Sequence, residues 1–275
     1  MKLVADNIRI TKAGIREALE RMDPGPVRAM ARQCAAAGAD AIDVNTGPLT
    51  KDPEAAMTFF VRAVQAETDL PLVIDTTNPR AMAAGLAAAT NPVIINGISL
   101  EPVKLEKILP LAGQSDADLV GFLLYPDSRV PRENHERFDI ALSLVAEAEK
   151  AGIRRERLIL DPVVPPLTWD DGLARARDIV ETIRMLPDLL GFPVRTMAGL
   201  SNLTTGAGSR PGKNRLEIVY LSMLAGAGLD YLMMDMLNPD VAASARAAGL
   251  MARCEIFSWA QVDSSAPEGP GPDNR

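Results

Sequence analysis

The stretch LPLVIDTTNPRAMAAGLAAATNPVIINGIS, Leu70–Ser99, decides the fold. A short apolar run ends in Asp75-Thr76-Thr77, and Asn78-Pro79 then opens a helical segment. A second apolar run closes on Asn96. Asn is a good helix N-cap and Pro fits the first helical position, so the stretch reads as strand, helix, strand.

The same unit repeats in both directions. Strand-like runs cover Lys2–Asn7, Asp40–Gly47, Leu70–Thr77, Pro92–Ser99, Asp118–Tyr125, Arg157–Val164, Val194–Asn202 and Leu229–Asn238. Helical segments with three- and four-residue apolar spacing lie between them, one opened by Asp52-Pro53. Eight such units in roughly 250 residues predict a closed (β/α)8 TIM barrel, and near-continuous apolar strands fit burial on both faces. An open doubly wound sheet fits less well, because no glycine-rich fingerprint follows the first strand.

The 275 residues are 47% hydrophobic and 24% charged, which suits one globular domain over residues 1–263. Ser264–Arg275, rich in Pro, Gly and Ser, is expected to be a disordered tail. A net charge of -7 argues against nucleic acid, whose phosphates are gripped by clustered Lys and Arg. Cys34 and Cys254 match no metal spacing, and no stretch reads as a leader or a membrane span. These features point to reduced thiols and a cytoplasmic location.

Seven of the eight predicted strands end in Asp or Asn: Asp6-Asn7, Asp43 and Asn45, Asp75, Asn96, Asp161, Asn202, and Asp235 with Asn238. In a barrel these ends converge on one mouth, where the chemistry of the fold sits, although Asx residues also end strands and cap helices for structural reasons. No Lys stands at a strand end for Schiff-base chemistry, and the single His135 rules against a His-ligated metal. Carboxylates and amides in a ring suit either Mg²⁺ or the hydrogen-bonding edge of a heterocycle such as a pterin.

The segments DPGPVRAMARQCAAAGADAIDVNTGP, LVIDTTNPRAMAAGL, IING, LILDPVV and GLSN follow one another in the order and spacing of the methyltetrahydrofolate:corrinoid methyltransferases. The chain resembles this pterin-binding family from Val4 to Val262. The resemblance implies a dihydropteroate-synthase-like pterin-binding barrel, 5-methyltetrahydrofolate as substrate, a corrinoid (cobalamin) on a partner protein, and a homodimer, with no metal bound directly. It implies that Asp75, Asn96 and Asp161 hold the pterin ring together with Asp43, Asn45 and Ser201. Asn202 reaches toward N5 as the catalytic residue.

Where many relatives begin Gly-Glu-Arg-x-Asn this chain has Asp6 and Asn7, which leaves the first strand's role open. Dihydropteroate synthase, the related alternative, ends in a Ser-x-Arg-x-His pattern absent here. A Mg²⁺-dependent barrel enzyme and a non-catalytic pterin-binding subunit complete the alternatives. The loop TTGAGSRPGK is either a flexible connection or a basic guide, in which Arg210, Lys213 or Arg215 attracts a folate tail, a phosphate or an acidic partner. Met233, Met234 and Met236 are expected to pack in the core, and Trp169 and Trp259 to be packing or interface residues rather than ligand stackers.

Overall fold

In the computed structural model, residues 1–47, 51–208, 210 and 212–252 are described. Cys254, Trp259, the domain boundary at 263 and the tail beyond it lie outside the described residues. Eight parallel strands close in sequence order: β1 (Lys2–Arg9), β2 (Ala41–Asn45), β3 (Leu72–Asp75), β4 (Val93–Ile98), β5 (Asp118–Phe122), β6 (Leu158–Asp161), β7 (Arg195–Gly199) and β8 (Tyr231–Met234). The barrel expected from the sequence is the fold observed.

The helices follow the strands: α1 (Ala13–Arg21) and α2 (Gly25–Ala36) after β1, α3 (Pro53–Gln65) after β2, and α4 (Pro79–Ala88) after β3. The short α5 (Pro102–Lys107) and α6 (Leu109–Gly113) follow β4, then α7 (Asn134–Lys150) and α8 (Gly172–Leu190). Last come α9 (Leu200–Leu203), α10 (Lys213–Gly226) and α11 (Pro239–Ala252). The predicted caps are real. Asp52 accepts the N–H of Ala55 at 3.0 Å, and Asn78 accepts that of Arg80 at 2.9 Å. Helices α1, α2, α5, α6 and α9 are not announced by the sequence: α1 and α2 lack a capping side chain at their N-termini, and the other three span fewer than two turns and display no apolar period. Among the described residues no helix is long and apolar enough to cross a membrane.

Burial separates the barrel into two apolar shells. Inside it, one residue per strand forms a plug: Val4, Ala41, Val73, Ile94, Val120, Ile159, Met197 and Tyr231. Outward-facing neighbours such as Leu3, Ile42, Leu72, Ile95, Leu119 and Leu158 pack under the helices. Below the plug, Arg195 donates to Asp118 at 2.8 Å and to the Tyr231 hydroxyl at 3.1 Å, so a polar layer seals the N-terminal end.

The seam between first and last strands carries a clamp. Fully buried Asn7 donates from Nδ2 to Asp235 at 2.6 Å and accepts the N–H of Met236 at 3.0 Å through Oδ1. Asn7 and Asp235 are thus committed to each other. Asn238 is taken up at the start of α11, accepting the N–H of Val241 at 3.4 Å. Every strand but β1 is shorter than its apolar run suggests; β7 stops at Gly199 and β8 at Met234, so Asn202, Asp235 and Asn238 lie beyond the sheet.

Candidate functional site

Side chains alternate across a strand, so the residue two places beyond each plug residue also points inward, one layer closer to the C-terminal mouth. Applied to all eight strands, this selects Asp6, Asp43, Asp75, Asn96, Phe122, Asp161, Gly199 and Met233. Phe122 and Met233 indeed pack against the plug. Sheet register sets Asn45 beside Asp75, Asp75 beside Asn96, and Phe122 beside Asp161, while Asp43 pairs with Val73 and Asn96 with Val120, so the inward positions step along the tilted strands. The barrel therefore brings Asp43, Asp75, Asn96 and Asp161 into one layer, with Asn45 at its lip.

Local structure orients each member. Asn45 donates through Nδ2 to Asp75 at 2.6 Å and accepts the N–H of Gly47 at 2.9 Å, so its amide positions the Asp75 carboxylate. Asp161 accepts the N–H of Val163 at 2.7 Å, and Val163 itself sits at φ 61°, a conformation uncommon for a β-branched residue. Beyond Asn96 the β4–β5 register shifts; a Cβ on Gly97 would lie 2.3 Å from the Val120 carbonyl oxygen, so the close strand approach requires glycine.

These carboxyls are held out of water. Burial raises Asp43 well above the usual carboxylate range, and the neighbouring Asp75 and Asp6 charges add to it. Burial pushes Asp161 up to about 7, opposed by the Val163 N–H. Asp75 is pushed up to about 6 by desolvation, tempered by the bond from Asn45 and by the positive charge of Lys104. Oδ1 of Asp43 and Oδ1 of Asn96 are buried with no hydrogen-bond partner among the described residues. Buried acceptors lacking donors are costly, so a ligand that donates N–H groups to these two oxygens would relieve that cost.

Asp6 plays a different part. It accepts from Arg9 at 2.9 Å and from the Ser201 hydroxyl at 3.1 Å, linking the ends of the first and seventh strands. Its pKa is raised by burial and pulled back by Arg9. Ser201 is consequently a support for Asp6. Asn202 follows in α9, exposed, and its amide folds back so that Nδ2 stands 3.2 Å from where a Gly199 Cβ would be. Gly199 leaves the inward layer open at that corner, and the amide overhangs it.

Arg210 and Arg215 are exposed, whereas Lys213 lies 3.6 Å from Glu217, which accepts the Thr204 hydroxyl at 2.6 Å. Lys213 is therefore partly absorbed in holding the loop. Met234 and Met236 are core, as expected, but Met233 turns into the mouth. Trp169 is 42% exposed, contrary to a packing role. His135 is an exposed residue of α7.

Sequence reasoning missed two neighbours of the layer. Phe122 supplies an aromatic wall on the one strand lacking a polar end, where an apolar run buried on both faces gives no signal of which residues point inward. Lys104 comes from α5, with its Nζ 5.9 Å from the Phe122 ring centre and 3.2 Å from Glu101. No strand-end pattern marks it. Among the described residues, no group of three or more His, Cys, Asp or Glu side chains is arranged to hold a metal ion.

Comparisons with known proteins bear on this geometry. The methylcorrinoid:tetrahydrofolate methyltransferase of Eubacterium limosum is 27% identical over 231 residues, covering 82% of each chain. Methionine synthase of Mycobacterium tuberculosis is 24% identical over 225 residues, covering 79% of this chain but only 19% of that longer protein. Among solved structures, dihydropteroate synthase of Coxiella burnetii in complex with pteroic acid superposes with a TM-score of 0.65 at 15% identity, over 92% of this chain and 94% of that one. The Yersinia pestis dihydropteroate synthase gives the same score and identity, over 92% and 93%; at such identity these two likenesses speak for the fold. The pterin binding enzyme family matches residues 15–235, most of the barrel, and the chain belongs to that family.

Proposed function

We propose that the chain is a methyltransferase moving a methyl group between N5 of 5-methyltetrahydrofolate and the cobalt of a corrinoid carried by another protein. The similarity to the Eubacterium limosum enzyme supports this reaction class. The observation that carries the reading is Asn202: an amide with no hydrogen-bonded side-chain partner among the described residues, overhanging the open Gly199 corner of an acceptor-rich mouth.

In this reading Asp161, Asp75 and Asn96 accept from and donate to the ring nitrogens and amino group of the pterin, and buried Asp43 supplies a further acceptor. Charged acceptors make the stronger of these bonds. Asn45 keeps Asp75 pointed at the ring, and Phe122 and Met233 provide apolar walls. When the methyl carbon passes to cobalt, the electrons of the carbon–nitrogen bond return to N5, which ends as N–H. N5 must hold a proton as the bond breaks. An amide does not titrate near neutrality, so Asn202 serves by accepting a hydrogen bond from protonated N5 through its carbonyl oxygen.

Asn202→Ala is expected to lower single-turnover methyl transfer about 10²-fold, the scale for loss of one preorganised polar group, while folate affinity changes far less. Unchanged transfer in that variant sinks the assignment. Dihydropteroate synthesis is separated by assaying the wild-type protein with p-aminobenzoate and a pterin pyrophosphate, where no condensation is expected.

A further inference from the structure

The loops after β5 and β6 enclose a second concave site beside the mouth, a cleft of about 540 Å³ lined by Tyr125, Arg129, Arg132, Glu136, Trp169 and Arg175. Three guanidiniums face one carboxylate there. Glu136 is already occupied: one oxygen accepts the Tyr125 hydroxyl at 2.5 Å, and the other accepts the N–H groups of Arg132 and Glu133 at 2.8 and 2.9 Å. Those bonds, the Glu133 N–H foremost, hold it down at about 2.

Of the three guanidiniums, two have a carboxylate from outside the cleft lining and one has none. Arg132 makes no ion pair among the described residues, and Arg129 meets only exposed Asp127, at 2.6 Å, while lying 4.9 Å from the Tyr125 ring centre. Arg175 is more than nine-tenths buried, donates to Asp171 at 2.7 Å and stacks 5.4 Å from the Trp169 ring centre. Its Nε is buried with no partner among the described residues. Arg presents a planar fork suited to carboxylates, and Trp and Tyr present flat apolar faces. A ligand matching this lining carries an aromatic ring and more than one carboxylate.

We propose that this cleft takes the anionic tail of the folate, with its benzoyl ring against Trp169 or Tyr125 and its glutamate carboxylates on Arg132 and Arg175. This rests on the folate reading of the mouth. The distance fits: Tyr125 is three residues beyond Phe122, hence no more than about 11 Å from it, and Phe122 pairs with Asp161 in the sheet. A concave cleft with aromatic walls favours a small-molecule arm over the flat surface of a protein partner. The basic residues of the 206–215 loop, first candidates for this task, are then not the tail's main contacts.

The test is calorimetric binding of three ligands: a tailless tetrahydropterin, tetrahydrofolate and its triglutamate. The proteins compared are the wild type, Arg132→Ala, Trp169→Leu, the conservative Arg175→Lys, and the double variant Arg210→Ala/Arg215→Ala. The wild type is expected to prefer the triglutamate over the tailless ligand by about tenfold or more, less so at high salt. Arg132→Ala and Trp169→Leu should remove most of that preference and leave tailless binding and the melting temperature unchanged. Equal wild-type affinity for all three ligands overturns the proposal, and so does an equal loss for all three in the cleft variants. Loss confined to Arg210→Ala/Arg215→Ala moves the tail to the other loop. Unchanged folate affinities with weakened corrinoid-protein turnover give the cleft to the partner instead. Wild type that binds no pterin refutes the folate reading itself, and this proposal with it.

Discussion

Asp161→Asn should stabilise the ligand-free protein at pH 8 and do little near pH 4. Burial sets the Asp161 carboxyl at about 7, against 3.8 for the ordinary group. Between those values the folded state binds the proton and the unfolded state does not, so stability falls as pH rises from about 4 to about 7. The penalty is full above pH 7 and absent below pH 4. Three units at about 1.4 kcal/mol each set a ceiling of roughly 4 kcal/mol, so a gain of about 2–4 kcal/mol is expected, or roughly 5–15 °C for a domain of this size. The amide oxygen of Asn retains the bond from the Val163 N–H, which removes the main structural objection. Thermal and urea denaturation at pH 4.5 and pH 8 supply the measurement. A difference between variant and wild type that is the same at both pH values refutes the burial argument. The same variant should bind tetrahydrofolate about 10–100-fold more weakly, because its amide donor would face the donors of the ring.

Three further outcomes follow from the same geometry, the first being that folate affinity in the wild type is full above pH 7 and declines as pH falls through the values set for Asp161 and Asp75, about 7 and about 6. The sign follows because ring N–H groups favour the carboxylate form, and calorimetry in buffers of differing ionisation enthalpy should register proton release near pH 6.5; affinity flat from pH 5.5 to 8 contradicts it. Asn45→Ala removes the bond that lowers Asp75, so the decline should begin at higher pH, whereas an unmoved midpoint would mean that Asn45 does not tune Asp75. Asn7→Ala strips the seam of two bonds and leaves the Met236 N–H without its acceptor, for an expected loss of about 2–3 kcal/mol in urea denaturation; an unchanged midpoint would show the clamp to be dispensable.

The barrel was legible because parallel strands buried on both faces appear as short apolar runs, and because Asn78-Pro79 and Asp52-Pro53 announce helices. The same burial hid the site's finer structure. In a strand with one wet face, alternation tells which residues point inward; here Val4 and Ala5 are both buried and apolar, so the sequence offers no parity. Asp6 and Asn7 consequently looked equivalent. The barrel gives them opposite faces, Asp6 in the mouth and Asn7 in the seam. Asp43, Asp75, Asn96 and Asp161 were recoverable because each is a polar side chain that interrupts an apolar run near a strand end. Asn202 was assigned to a strand because Leu200 continues the apolar run; a single helical turn that follows Gly199 is too short to announce itself. Lys104 and the Tyr125–Trp169 cleft come from helices and loops that only tertiary structure brings to the rim.

The distribution of charge explains why the two regions belong together. The deep layer is rich in acceptors, with three carboxyls whose ionisation burial opposes, so an anion entering first would meet Asp43, Asp75 and Asp161 without a compensating donor. The rim cleft has the reverse character, with three guanidiniums in its wall, of which Arg132 makes no ion pair among the described residues. A ligand with an N–H-rich head and a carboxylate tail, such as folate, is favoured in one orientation and disfavoured in the other, and the discrimination acts before any close contact forms. Orientation matters for the proposed chemistry, because the amide of Asn202 overhangs one corner only, at Gly199. A pterin turned end for end would bring its tail carboxylates onto unpartnered acceptors and take N5 away from that amide. On the proposed reading, the stability that the ligand-free barrel forgoes by burying three carboxyls is the source of its selectivity, and substituting any of them should trade recognition for stability.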